Sequence, residues 1–242
     1  MRRRFFVDEF VDGRAVMAGE TAHHLGRVLR AEPGQLYELS DGKRVWLARI
    51  AEVKRDRVEF SLMEELPSRE PLLQTVLLLS IVKFDAFEFA LEKAAELGVC
   101  RIVPLVAVRS EKSLLAAAPK RAERWKKILL EASQQSRRLR IPELAPLMKL
   151  ETALSSTSGR LKILLSERPE APSLRGILEG QNAAAAVVLA IGPEGGWTDA
   201  EFQRSQTHGF REASLGRLIL RTETAVIAAL ASLNYALSGP AS

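Results

Sequence analysis

The sequence predicts an α/β protein, a mostly parallel sheet clothed in helices and preceded by a small β-rich module. Three observations carry that expectation. Past residue 71, apolar strand-like runs alternate with helical stretches, the pattern of a parallel α/β sheet. Before residue 67, short strand-like runs follow one another with turn signals between them. Between the two, Pro67-Ser-Arg-Glu-Pro71 has two prolines, polar residues and no periodicity, as a linker does. The expected division is therefore 1–66, a linker at 67–71, and 72–242.

In the first part, Phe5 to Val7, Leu36 to Leu39, Val45 to Val53 and Arg57 to Leu62 read as strands. Asp41-Gly42 is a strong hairpin signal between two of them. Thr21 to Leu29 is expected as a short helix capped by Thr21. In the second part, Val76 to Val82 is continuously apolar, as in a strand covered on both faces. Phe84 to Leu97 has helical periodicity and stops at Gly98, an expected C-terminal cap. Arg101 to Leu105 is a further strand. Pro119 suits a first helical turn, with Trp125, Ile128, Leu129 and Ala132 on one helical face. Leu161 to Leu165 and Ala186 to Ile191 are two more strands. Ala225 to Leu237 is apolar nearly all round and reads as a buried helix. The alanine run 183–186 is too short to count as low complexity.

Composition narrows the class without naming it. The 242 residues suit one large or two modest domains. Hydrophobic residues at 47% and charged residues at 27% are ordinary for a globular chain. The net charge of +5 permits nucleic-acid binding but does not require it. The single Cys100 excludes an internal disulfide, and His23, His24 and His208 lack metal-ligand spacing, so no metal is expected. No apolar run approaches the roughly 20 residues that span a bilayer. Met-Arg-Arg-Arg-Phe-Phe-Val has no long apolar core behind its charges and makes a poor signal peptide. The cytoplasm is the expected compartment.

The most informative stretch is Leu189-Ala-Ile-Gly-Pro-Glu-Gly-Gly-Trp-Thr-Asp-Ala-Glu-Phe202. A buried strand stops at Gly192-Pro193, and Gly195-Gly196 let a ligand approach the main chain. Thr198 and Glu201 have capping-box spacing, so a helix should begin there. Ligands bind at such strand ends in open α/β sheets. The Lys-Ser/Thr of a phosphate-binding P-loop is missing, and so is the three-glycine dinucleotide spacing. Glu194 discourages a phosphate, so a neutral or cationic ligand fits better; a plain strand–helix turn remains the alternative. A second stretch, Leu215-Gly-Arg-Leu-Ile-Leu-Arg-Thr-Glu-Thr-Ala225, again joins an apolar run to a turn and a helix. There Thr222 is the expected N-cap, Glu223 complements the helix dipole, and Arg221 can face a cleft.

Together these two stretches resemble the bacterial 16S ribosomal RNA uridine-N3 methyltransferases, the small-subunit methyltransferase E family of the SPOUT class. His24-Leu-Gly-Arg-Val-Leu-Arg30 with Pro33-Gly-Gln35, Glu92-Lys-Ala-Ala-Glu-Leu-Gly-Val99 and Arg124-Trp-Lys-Lys-Ile128 extend the resemblance over nearly the whole chain. It implies a PUA-like N-terminal β-barrel that binds RNA and a C-terminal domain with a deep trefoil knot. It also implies S-adenosylmethionine as cofactor, 16S RNA within the 30S subunit as partner, and a homodimer with active sites at the subunit interface.

The resemblance places the donor pocket on three loops. They contribute Ser166 and Glu167, then Ile191, Gly192, Glu194, Gly195 and Gly196, then Leu215, Gly216, Leu220 and Thr222. Methylation at N3 requires loss of the N3 proton and stabilisation of charge on the uracil oxygens. Arg221 is the expected catalytic residue, with Glu223 as a possible general base and a salt bridge from Arg221 to Glu223 or Glu194 as the structural alternative. For RNA, the expected contacts are Arg27 and Arg30, taken to share a helical face, with Lys83, Arg109, Arg137, Arg138 and the run Arg2-Arg3-Arg4. Where the family has Gly after Gln-Ser, this chain has Arg137. Two other readings stay in play. One is a related SPOUT enzyme acting on another RNA or atom, such as a ribose 2′-OH. The other is a non-catalytic RNA-binding ribosome-assembly factor.

Overall fold

The computed structural model describes residues 3–28, 30–68, 70–181 and 186–237. Arg2, Leu29 and most of the 183–186 alanine run, named above, lie outside the described residues. The chain divides into two compact units, Met1–Glu70 with Ser133–Ile141, and Pro71–Ala132 with Pro142–Ser242.

The first unit contains β1 (Arg4–Phe6), β2 (Arg14–Ala18), α1 (Gly19–His23), β3 (Leu36–Ser40), β4 (Val45–Val53) and β5 (Arg57–Leu66). The sheet order is β1-β3-β4-β5-β2, with β1 parallel to β3 and the other pairs antiparallel. Phe5, Leu39, Ile50, Val58 and Phe60 form its core. The expected hairpin turn is present: the Asp41 carboxylate accepts from the Lys43 and Arg44 N–H groups, and Gly42 takes φ 81°. β2 was not expected; its Ala15 and Met17 point inward while their neighbours face out.

Two expectations fail here. The helix starts at Gly19, so Thr21 lies inside it rather than capping it, and the next turn, His24–Val28, widens to π geometry. Arg30 has φ 50°, beyond any helix, so Arg27 and Arg30 share no helical face, although both are exposed.

Segment 133–141 belongs with this unit by its bonds. Ser40 Oγ donates to the Leu139 carbonyl at 2.8 Å. Arg4 Nη1 donates to the Arg137 carbonyl, and Arg4 Nη2 lies 2.9 Å from Glu38. Arg4 is therefore buried in an ion pair, contrary to the expectation that it meets phosphates. Arg137 takes φ 54°, a left-handed conformation that here carries a long side chain. That conformation costs a non-glycine residue about 1–2 kcal/mol. Glu38, 3.6 Å from Arg137 Nη1, offsets part of it. Arg138 is only 9% exposed and its Nε donates to the Arg140 carbonyl. Its guanidinium is turned into the fold, which corrects the expectation of an open phosphate contact.

The second unit runs β6 (Thr75–Ser80), α2 (Phe84–Glu96), β7 (Arg101–Val106), α3 (Lys112–Ala117), α4 (Ala122–Gln135, whose last residues fall in the first unit), β8 (Glu143–Leu144), β9 (Met148–Lys149), α5 (Leu150–Ser156), β10 (Leu161–Leu165), α6 (Leu174–Leu178), β11 (Val187–Ile191), α7 (Asp199–Thr207), β12 (Arg211–Ala213) and α8 (Thr222–Leu237). The sheet order is β12-β10-β11-β6-β7-β8, with β9 also on β7, and every pairing is parallel.

Alternate residues of the central strands feed two cores, as a doubly covered sheet requires. Leu77, Leu79, Val187, Leu189 and Ile191 join α2, α4, α6 and α8. Leu78, Val188 and Ala190 join α5 and α7. Gly98 closes α2 with φ 91°, its N–H bonded to the Ala95 carbonyl. In α8, Val226, Ala229, Leu230, Leu233 and Leu237 face the core, while Tyr235 is 92% exposed. No described helix is long and apolar enough to cross a membrane.

Candidate active site

The order β12-β10-β11 sets three successive strands side by side and parallel, with β12 returning beside β10, so the loops after them gather at their C-terminal ends. They enclose an open cleft of about 630 Å³. The first loop gives Ser166, Glu167, Arg168 and Glu170; the second gives Gly192, Pro193, Glu194, Gly196 and Trp197 after Ile191; the third gives Leu215 to Thr222.

The glycine loop is held from several sides. The Gly196 N–H bonds the Pro193 carbonyl at 2.8 Å, closing a turn over Glu194 and Gly195. Gly196 takes φ 68°, and a Cβ there would stand 2.9 Å from Glu167 Oε1. A Cβ on Gly192 would meet the Trp197 ring at 3.0 Å. That buried indole donates to the Leu165 carbonyl at 2.9 Å and so ties this loop to the one after β10. Behind the loop, Thr198 and Glu201 form the full expected capping box of α7. Glu201 is 3% exposed, and its second carboxylate oxygen accepts the Val108 N–H at 2.9 Å. Arg109 Nη1 donates to the Gly195 carbonyl at 2.7 Å and the Trp197 carbonyl at 3.2 Å.

In the loop after β10, Arg168 lies over the Phe202 ring of α7 at 4.8 Å and pairs with Glu170 at 2.7 Å. The hydrogen bond to Glu170 raises the Arg168 pKa above its ordinary value. The Glu170 carboxyl is held below its usual range, first by a hydrogen bond from its own backbone and then by Arg168.

The third loop is different in kind. Ser214 Oγ accepts the Gly216 N–H at 3.1 Å, and beyond it Leu218 and Ile219 are 84% and 78% exposed. Arg221 is exposed and faces the cleft. Among the described residues it has no ion-pair partner, neither Glu223 nor Glu194.

Of the residues expected from sequence, Ser166, Glu167, Ile191, Gly192, Glu194, Gly196, Leu215, Gly216, Leu220, Arg221 and Thr222 all line this cleft. Gly195 sits behind it, against the Arg109 stem at 3.3 Å for a built Cβ. Arg109, expected to contact RNA, is brought to the cleft as a partner of the glycine loop. Glu223 is half-buried and outside the lining, which separates it from Arg221. Lys83 is exposed at the start of α2, also outside the lining. Thr222 is not the N-cap: the Ala225 N–H bonds the Arg221 carbonyl at 2.9 Å, so Arg221 holds that position and Thr222 is buried in the first turn. Sequence reasoning missed Trp197 and Phe202. The tryptophan directly after Gly-Gly was the available signal for the first; nothing local marks the second.

A parallel sheet with a cleft on three neighbouring loop ends defines a class of α/β protein that binds ligands at its strand ends. An RNA methyltransferase domain matches residues 68–234, and an RNA methyltransferase PUA domain matches residues 18–63. The chain belongs to the ribosomal RNA small subunit methyltransferase E family. It is 32% identical over 231 residues to the Synechocystis member, covering 94% of this chain and 75% of that one. It is 29% identical to the Bacillus subtilis member, covering 90% of this chain and 89% of that one. The crystal structure of the Neisseria gonorrhoeae enzyme, bound to S-adenosyl methionine, superposes with TM-score 0.88 at 32% identity over 98% of both chains.

Proposed function

We propose that this protein transfers a methyl group from S-adenosylmethionine to N3 of a uridine in 16S ribosomal RNA. The observation that carries the reading is the cleft itself: it is lined by the backbone of Gly192 and Gly196, by the carboxylates Glu167 and Glu194, and by Arg221, which has no ion-pair partner among the described residues. The residues present fit the cofactor. Glu167 and Glu194 put negative charge beside a cationic ligand, and Gly196 leaves open the space a side chain would fill. The volume of about 630 Å³ lies in the range of about 300–1,000 Å³ usual for small-molecule sites.

When bound, S-adenosylmethionine supplies an electrophilic methyl group on a sulfonium. Ile191, Gly192, Gly196, Leu215 and Leu220 hold it by shape and backbone groups, with Ser166, Glu167, Gly216 and Thr222 around them. Arg221 stabilises the negative charge that develops on the uracil oxygens and favours loss of the N3 proton. Glu223, at the first turn of α8, serves the helix dipole rather than the base. Arg27, Arg30 and Lys83 are exposed cations suited to phosphates, which position RNA without reading its sequence. The uracil must be single-stranded or flipped out to be reached.

The same reading includes the cytoplasm, the 30S subunit as substrate, and the trefoil knot of the family. It also includes a homodimer, supported by the exposed apolar Leu218, Ile219 and Tyr235. The test is incubation with labelled S-adenosylmethionine and either naked 16S RNA or 30S particles from an unmethylated strain, with mass mapping of the product. Label on N3 of one uridine is expected. Label on a ribose 2′-OH or on another base overturns the N3 assignment. Absence of both transfer and calorimetric cofactor binding restores the assembly-factor reading.

A further inference from the structure

We propose that Arg109 is a positioning residue that fixes the shape of the glycine loop and thereby the affinity for the cofactor. The inference rests on the cofactor reading above. Arg109 stands 86 residues before the nearer of its partners, in the connection between β7 and α3. A single nitrogen, Nη1, gathers the carbonyls of Gly195 and Trp197. The stem runs against the loop, since a Cβ on Gly195 would lie 3.3 Å from Arg109 Cβ and 3.5 Å from its Cδ. The next residue back completes the grip: the Val108 N–H is held by Glu201, whose other oxygen accepts the Thr198 N–H and hydroxyl at 2.8 and 2.9 Å. One connection therefore holds the loop at its glycines and at the helix cap behind them. Two carbonyls drawn to one cation fix the Gly195–Gly196 and Trp197–Thr198 peptide planes, which bracket Gly196 and Trp197 where they line the cleft.

Charge alone predicts the opposite effect. A guanidinium beside a cationic ligand repels it, so removing Arg109 for its charge would tighten binding. Removing it for its geometry would weaken binding. The sign of the change separates the two.

The experiment is calorimetric titration of S-adenosylmethionine into the wild-type protein, Arg109→Ala and Arg109→Lys. Thermal melting of each, and the salt dependence of RNA binding without cofactor, are measured alongside. Wild-type binding tests the cofactor reading; only the variants test Arg109. We expect Kd to rise about tenfold in Arg109→Ala, equivalent to about 1.4 kcal/mol. Arg109→Lys should recover part of that, because an ammonium reaches the carbonyls without the planar fork. The RNA salt slope should not move. Unchanged or tighter cofactor binding by folded Arg109→Ala overturns the proposal. So does a salt slope smaller by about one with Kd intact, which is the mark of a phosphate contact. If Arg109→Ala does not fold, Arg109→Lys decides: wild-type Kd in a folded Lys variant overturns the proposal, and a raised Kd with an unchanged melt upholds it.

Discussion

The glycine loop after β11 and the loop between β12 and α8 line one cleft but are built in opposite ways. The first is fixed by the protein alone. Its turn is closed by Gly196 and Pro193, its underside is filled by Trp197, and its flank is held by Arg109 and the capping box. The second is anchored at Ser214 and then runs out with Leu218 and Ile219 in solvent and Arg221 without an ion-pair partner among the described residues. Preorganised donors and acceptors suit a ligand that must be held the same way every time. A loop that leaves Leu218 and Ile219 exposed is held by less of the protein's own packing. One wall is cross-braced by the protein's own bonds; the other is braced at its start, by Ser214.

The sharpest way to break this contrast is Arg221→Ala. Loss of a charge stabiliser should lower kcat by roughly 10²–10³-fold. The melting temperature should stay put, because among the described residues the Arg221 side chain is exposed and has no ion-pair partner. Turnover near wild type in a methyl-transfer assay would remove Arg221 from the chemistry. On the rigid wall the same kind of change should cost both stability and binding. Gly192→Ala drives a methyl into the Trp197 ring, 3.0 Å away, and overpacking of this sort costs about 1–3 kcal/mol. Denaturant unfolding and cofactor titration should both register it; a normal melt would mean the indole yields. Thr198→Ala should cost about 1 kcal/mol through loss of the α7 cap, read by denaturation. The smallest effect is expected on the open wall. Leu218→Ser with Ile219→Ser should leave monomer stability within about 0.5 kcal/mol, since both are exposed. Sedimentation should nonetheless show weaker self-association. A large loss of monomer stability would show that this loop is as fixed as its neighbour.

Much of this was legible because the signals are local. The all-apolar β11, the Thr198–Glu201 box and the stop at Gly98 each follow from residues within a few positions of one another. What was not legible depends on distance in sequence. β2 is short and built on Ala15 and Met17, which carry little strand preference, and it becomes a strand only through β5. Arg4 and Arg138 look like any surface arginines until Glu38 and the Arg140 carbonyl are seen beside them. Arg109 reads as an RNA contact from its charge, and only partners some 86 residues away give it another task. The cap of α8 was misread by one residue because Arg221 fills that place with its backbone rather than its side chain.

The placement of Trp197 has a practical use. The chain has three tryptophans. Trp46 lies in the first unit and Trp125 in the helical layer with Phe84 and Phe87. Replacing those two with phenylalanine would leave a single indole, hydrogen-bonded to Leu165 beneath the floor of the cleft. Its emission would then serve as an optical readout of what enters, without label, and would follow loading in real time.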